Sequence, residues 1–215
     1  MQTIAVVDYG MGNLRSVVNA LESVATKQHR ILLTSDPQQV VKADRVVFPG
    51  QGAAGDCMRA IDEYGLREAI IDATRSRPFL GICMGMQVLI HHSEENQGTD
   101  CLAVVDGQVR YFGDSHKDQS GVKLKVPHMG WNRVRHTRQH PLWNSIDDGS
   151  RFYFVHSYYV SVGDNELIAG ESDYGFKFTS AIATDNVFAL QCHPEKSAAT
   201  GLQLLQNFLS WNGQA

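Results

Sequence analysis

The sequence holds no Cys-x-x-Cys pair, and its four cysteines, Cys57, Cys83, Cys101 and Cys192, fall at irregular intervals. That spacing excludes a disulfide framework and a zinc site, and it implies a reducing compartment. No block of like charge exceeds a few residues. Nineteen Lys and Arg against 23 Asp and Glu leave a net charge of −4, which provides no footprint for nucleic acid or an anionic membrane. The most apolar stretch, residues 78–90, is interrupted by Gly81, Gly85 and Gln87 and falls short of a membrane span. Met1-Gln2-Thr3 has no basic residue and the first apolar run, residues 4–7, ends at Asp8, so no signal peptide is expected and the location is read as cytoplasmic. Repeats, low-complexity segments and a P-loop are absent. Gly10-Met11-Gly12 follows the first predicted strand, but Arg15 stands where a dinucleotide fingerprint needs its third glycine.

At roughly 150 residues per domain, 215 residues form one unit, expected to be a single domain over 1–215. Its 43% hydrophobic content is enough for a sizeable core. The first half alternates short β-branched runs with helical patterns. Strands are predicted at 4–8, 30–34, 45–48 and 78–82, and helices at 14–25, 37–43, 56–76 and 84–91. This alternation predicts an α/β fold with a doubly wound, mostly parallel sheet flanked by helices. From about Cys101 the pattern becomes β-rich, with strands predicted at 102–105, 109–112, 131–135, 152–162, 167–171, 176–183 and 187–191, closed by a helix at 198–211. The polar stretch from Asp114 to Gly121 is expected to be a surface loop.

Gly81-Ile82-Cys83-Met84-Gly85 closes an apolar strand and has the form of the G-x-S-x-G nucleophile elbow, with cysteine in place of serine. Two glycines permit the tight strand-to-helix turn, which exposes the central residue at its apex. A helix starting there would favour the thiolate of Cys83 through its dipole, and the Met84 amide would be free to stabilise an oxyanion. Taken alone, the same pattern also fits a core cysteine beside small residues. Of nine histidines, His193 stands out as a base. In Gln191-Cys192-His193-Pro194-Glu195 the proline biases the backbone towards extension. His193 and Glu195 then share a face, with Glu195 placed to orient the ring, while Cys192 points away as a structural thiol. A surface histidine in a strand-end turn is the alternative. Pro49-Gly50-Gln51-Gly52 ends another predicted strand, so three signals fall at strand carboxyl ends, where open α/β sheets place their sites.

Gly81-Ile82-Cys83-Met84-Gly85-Met86-Gln87 with the distant Gln191-Cys192-His193-Pro194-Glu195 resembles the class I (triad) glutamine amidotransferases. Three further segments narrow the likeness: Asp8-Tyr9-Gly10-Met11-Gly12-Asn13-Leu14-Arg15-Ser16-Val17, Pro127-His128-Met129-Gly130-Trp131-Asn132 and Tyr153-Phe154-Val155-His156-Ser157-Tyr158. These are similar to the glutaminase subunits of imidazole glycerol phosphate synthases, the branch that serves histidine biosynthesis. The likeness runs from Asp8 to about Ser197.

The resemblance implies Cys83 as nucleophile, His193 as acid and base, and Glu195 as its orienting carboxylate. It implies an oxyanion site from Gly50, Gln51 and Met84, and L-glutamine held by Gly52, Gln87, Glu95, Ser157 and Tyr158. No metal or cofactor is implied. The partner it implies is a (β/α)8-barrel cyclase subunit in a heterodimer, docked against Asn13, His128, Met129, Trp131, Asn132, Tyr153 and Lys196 and receiving ammonia through its interior. Two positions depart from the family: Gln51 replaces the usual valine of the oxyanion loop, and Cys192 replaces a phenylalanine. The glutaminase of pyridoxal phosphate synthesis is the alternative of similar length, against which the 10–17 and 128–132 segments argue. A free-standing amidase on the same fold is the other.

Overall fold

The computed structural model describes residues 1–113, 117 and 121–214. Strand β1 (Gln2–Val7) leads to helix α1 (Leu14–Val24), whose first turn is capped by the Asn13 side chain accepting from the Ser16 amide. There follow β2 (His29–Thr34), α2 (Pro37–Lys42), β3 (Arg45–Gly50), α3 (Ala54–Glu63), α4 (Arg67–Ser76), β4 (Phe79–Cys83) and α5 (Met84–Gln87). The C-terminal half contributes β5 (Ile90–Ser93), β6 (Thr99–Asp100), β7 (Val105–Tyr111), β8 (His128–Arg133), β9 (Arg135–His136), β10 (Arg151–His156), β11 (Tyr158–Val162), β12 (Ile168–Asp173), β13 (Lys177–Ala183) and β14 (Val187–Leu190). Helix α6 (Ala198–Ser210) packs against α1.

The main sheet runs β2-β1-β3-β4-β14-β13-β11-β7-β5-β6. Its first five strands are parallel, and from β14 to β13 the pairing turns antiparallel. Successive residues of β1 are buried on opposite faces. Ala5 and Val7 pack with α2, α3 and α4, while Ile4 and Val6 pack with α1 and α6. Helices therefore cover both faces, which is what a near-continuous apolar strand requires. Strands β8 and β10 form a separate antiparallel ribbon.

Three expectations are corrected. The helix expected at 56–76 is two helices, broken where Gly65 adopts φ +65°. The Leu66 amide donates to the Ile61 carbonyl at 2.9 Å and the Gly65 amide to that of Asp62 at 3.0 Å, the paired closure of a glycine-terminated helix. The helix expected at 84–91 is a single turn, because Ile90–Ser93 extends to pair with β6 and β7. The strand expected at 152–162 is split at Ser157, where the chain leaves the ribbon and enters the main sheet as β11. Smaller differences also occur. The strands expected at 102–105 and 109–112 are the one strand β7, and the one expected at 131–135 is divided between β8 and β9. Of the loop expected from Asp114 to Gly121, only Lys117 and Gly121 lie within the described residues.

Candidate active site

Cys83 is the last residue of β4 and sits at φ +55°, ψ −110°, a region that a side chain occupies only when its surroundings impose it. The surroundings are backbone. A Cβ on Gly85 would run into the Phe48 carbonyl, and one on Gly81 would lie 2.9 Å from the Ala189 Cβ. The two glycines thus let β3, β14 and the turn after β4 close together, leaving the cysteine at the apex. Helix α5 is only one turn long, so its dipole is too small to supply the electrostatic support expected of it.

That support comes from β14. Its parallel register with β4 (Leu190 opposite Ile82) carries the following residues to the cysteine. Gln191 Nε2 donates to Cys83 Sγ at 3.6 Å. His193 Nδ1 and Glu195 Oε1 are 2.8 Å apart, with both side chains only 2% exposed. The Cys83 sulfur lies beside His193, whose Nε2 has no other hydrogen-bond partner among the described residues. Burial opposes charge on this ring, but the sulfur of Cys83 and the Glu195 carboxylate outweigh it and raise the His193 pKa to about 10. An imidazolium beside a sulfur is the arrangement that stabilises a thiolate. Cys192 is fully enclosed, and its thiol is pushed well above the ordinary value by burial.

These groups open on a cavity of about 460 Å³ lined by Gln51, Gly52, Cys83, Met84, Gln87, Glu95, Ser157, Tyr158 and His193, together with Pro127, Val155, His156 and Lys196. Gly50 lies behind this wall, where a Cβ would meet the Tyr9 hydroxyl and Met84. The Gln51 carbonyl accepts from the Cys57 thiol at 3.3 Å. Glu95 accepts from the Ala54 amide at 2.7 Å, capping α3, and burial raises its pKa despite that bond. Gln87 is buried rather than on a helix surface. Its Nε2 donates to the Tyr158 carbonyl at 3.1 Å and to Gln191 Oε1 at 2.9 Å, which leaves Oε1 without a partner. Among the described residues no cluster of His, Cys, Asp and Glu is placed to hold a metal, and no helix is long and apolar enough to cross a membrane.

Of the residues expected on a docking face, Met129 and Trp131 are 62% and 44% exposed on the outer side of the ribbon. Trp131 meets the Tyr153 ring at 6.2 Å, and Lys196 lies over that ring at 6.0 Å while also lining the cavity. Asn13 is exposed, and Asn132 donates to the Asp173 carbonyl. His128 is a correction. It points inwards between Phe154 and Tyr174 and is 3% exposed, because alternate residues of β8 face opposite sides. Sequence reasoning assigned no role to Gln191 or His156. Gln191 adjoins the His-Pro-Glu motif, but its bond to Cys83 depends on the β4–β14 pairing, and no local pattern displays that.

Residues 5–211 match the family model described as Glutamine amidotransferase class-I. The imidazole glycerol phosphate synthase subunit HisH of Thiobacillus denitrificans is 60% identical over 210 residues, covering 97% of this chain and 91% of that relative. The HisH subunit of Hydrogenovibrio crunogenus is 54% identical over 212 residues, covering 98% and 97%. A solved glutamine amidotransferase superposes with a TM-score of 0.67 at 16% identity, over 96% of this chain and 97% of that one. PurLQS from Thermotoga maritima superposes at 0.69 and 18%, over 97% of each. At those identities the likeness shows the fold alone.

Proposed function

Because the chain belongs to the class I glutamine amidotransferases, and within them groups with the HisH subunits, we propose that it hydrolyses L-glutamine to glutamate and ammonia for imidazole glycerol phosphate synthesis. The observation that carries the reading is the convergence of Cys83, at its elbow, with the buried His193–Glu195 pair on one cavity. The thiolate of Cys83 attacks the side-chain amide carbon of glutamine. Charge on the amide oxygen is met by the Met84 amide and a backbone N–H from Gly50 or Gln51. His193 gives its proton to the departing ammonia, leaving a thioester. It then takes a proton from the water that attacks the thioester, releasing glutamate and restoring the thiolate. Glu195 holds the ring throughout. Gly52, Gln87, Glu95, Ser157 and Tyr158 hold the amino-acid end of the substrate.

The chain acts as one amidotransferase unit in the cytoplasm. Ammonia passes to a cyclase subunit docked against Asn13, Met129, Trp131, Asn132, Tyr153 and Lys196. There it completes imidazole glycerol phosphate and aminoimidazole carboxamide ribotide. Mixing the chain with a cyclase and its ribonucleotide tests this: glutamate release should rise well above that of the chain alone. Full activity without a partner would point instead to a free-standing amidase.

A further inference from the structure

A chain of hydrogen bonds leaves the cavity wall and reaches the outer strand of the ribbon. The Tyr158 carbonyl accepts from Gln87 Nε2 on one side and lies 2.7 Å from His156 Nδ1 on the other. His156 Nε2 is 2.9 Å from His128 Nδ1, its cross-strand neighbour in the β8–β10 pairing. His128 Nε2 is 3.3 Å from Asn132 Nδ2, which also donates to the Asp173 carbonyl at 2.8 Å.

The amide of Asn132 sets the direction of this chain. Its oxygen accepts the Arg133 amide at 2.7 Å, so the group facing His128 is a donor. His128 Nε2 must therefore be bare and Nδ1 must carry the proton. That proton meets His156 Nε2, which must be bare in turn, and the proton on His156 Nδ1 meets the Tyr158 carbonyl. One proton per ring satisfies all four nitrogens, and this is the only neutral arrangement that does so. Burial favours the neutral form of both rings, lowering the pKa of His128 to about 4 and of His156, with His128 beside it, to about 3. On the cavity side the chain continues through Gln87 and Gln191 to the sulfur of Cys83.

We propose that the His128–His156 pair is a one-directional relay that positions the Tyr158 carbonyl, and through it the Gln87 amide, for glutamine. His156, His128 and Asn132 are then positioning residues that tie the strand bearing exposed Met129 and Trp131 to the substrate pocket. The proposal rests on the glutaminase reading. Both hydrogens of Gln87 Nε2 are engaged and its Oε1 is buried, so these two bonds fix the amide in the cavity wall. If the Tyr158 carbonyl is released, the Gln87 amide loses that constraint.

The test uses the chain with saturating cyclase, partner affinity being measured separately. Asn132→Asp changes no volume but sets an anionic acceptor where a donor faced His128 Nε2 and the Asp173 carbonyl, so the ring is no longer held neutral with its one proton on Nδ1. The KM for glutamine should rise about tenfold, the scale of one lost buried hydrogen bond, with kcat within about threefold. His128→Asn keeps a donor near Nδ1 but loses the ring, whereas His128→Phe keeps the ring and loses the donor. Asn should leave KM within about threefold of the original and Phe should raise it about tenfold. The reverse order would mean that His128 acts only by packing, and would overturn the relay. Nitrogen-15 spectra of the unaltered protein should place the proton on Nδ1 of both rings, and Nε2 protonation of both would overturn it without any variant. Normal turnover with unaltered KM in Asn132→Asp and His128→Phe overturns the relay alone. Absence of glutamine turnover in the unmodified complex would overturn the functional reading and the relay with it.

Discussion

His193 and the pair His128 and His156 are buried almost alike, at 2%, 3% and 6% exposure, yet they hold protons in opposite ways. Burial opposes charge in all three. Around His193 it is outweighed by the Cys83 sulfur and Glu195, and the ring is held charged. Around His128 and His156 no carboxylate among the described residues answers it. The rings meet each other, an amide and a backbone carbonyl, and are held neutral. The fold thus holds one imidazole charged and two others neutral, and the difference lies in their partners rather than their depth.

Removing the sulfur breaks that contrast most sharply. In Cys83→Ala, glutamine hydrolysis should fall by about 10⁴ or more while added ammonium still supports the cyclase. Retained hydrolysis would rule Cys83 out as nucleophile. The variant should also bring His193 closer to its neighbours. Its raised proton affinity contributes stability that is full below pH 6.5 and lost as pH rises towards about 10. Without the sulfur this alkaline loss should flatten, as denaturant midpoints between pH 7 and 10 would reveal.

Glu195→Gln should act less severely, because it removes orientation and charge but leaves the base in place. Its loss in kcat should be roughly a hundredfold smaller than that of His193→Ala, as for the acidic member of other triads. Steady-state rates of the two variants give the order, and a larger loss in Glu195→Gln would contradict the assigned roles.

How far the site was legible follows from the range of each signal. The elbow was, because Gly81 and Gly85 bracket Cys83 within five residues, and so was the His193–Glu195 pairing, because Pro194 constrains the backbone between them. The parallel half of the sheet followed from alternating strands and helices. Gln191, His128 and His156 act across strand pairings, between β4 and β14 and between β8 and β10, and such registers have no local signature. The break at Gly65 had one. A glycine stands where a helix ends in a left-handed residue, but the apolar spacing on either side reads as one continuous helix. The apolar residues after Gln87 carry no strand or helix period strong enough to separate the two, and there the tertiary pairing of β5 decides.

The smallest expected effect concerns a third neutral histidine, His140, which sharpens the contrast on the acid side. Its Nδ1 accepts the Leu142 amide at 3.2 Å, capping a short turn, and its ring lies 4.7 Å from Phe188 and 5.1 Å from Trp211. Burial, with Arg138 nearby, lowers its pKa to about 4. A depressed histidine contributes stability that is full above the unfolded value of 6.5 and lost as pH falls towards the folded one, since the unfolded chain then binds more protons. His140→Asn keeps an acceptor for the Leu142 amide and removes the titration. At pH 8 the variant should be less stable by ~1–3 kcal/mol, from the space left beside Phe188 and Trp211. Between pH 7 and 4.5 it should lose less stability than the parent, with a shallower slope, because His140 no longer adds to the proton uptake that accompanies unfolding. Thermal melting across that range measures the slope directly. An unchanged slope would mean that His140 is not held neutral by its burial, and the contrast would then rest on the His128–His156 pair alone.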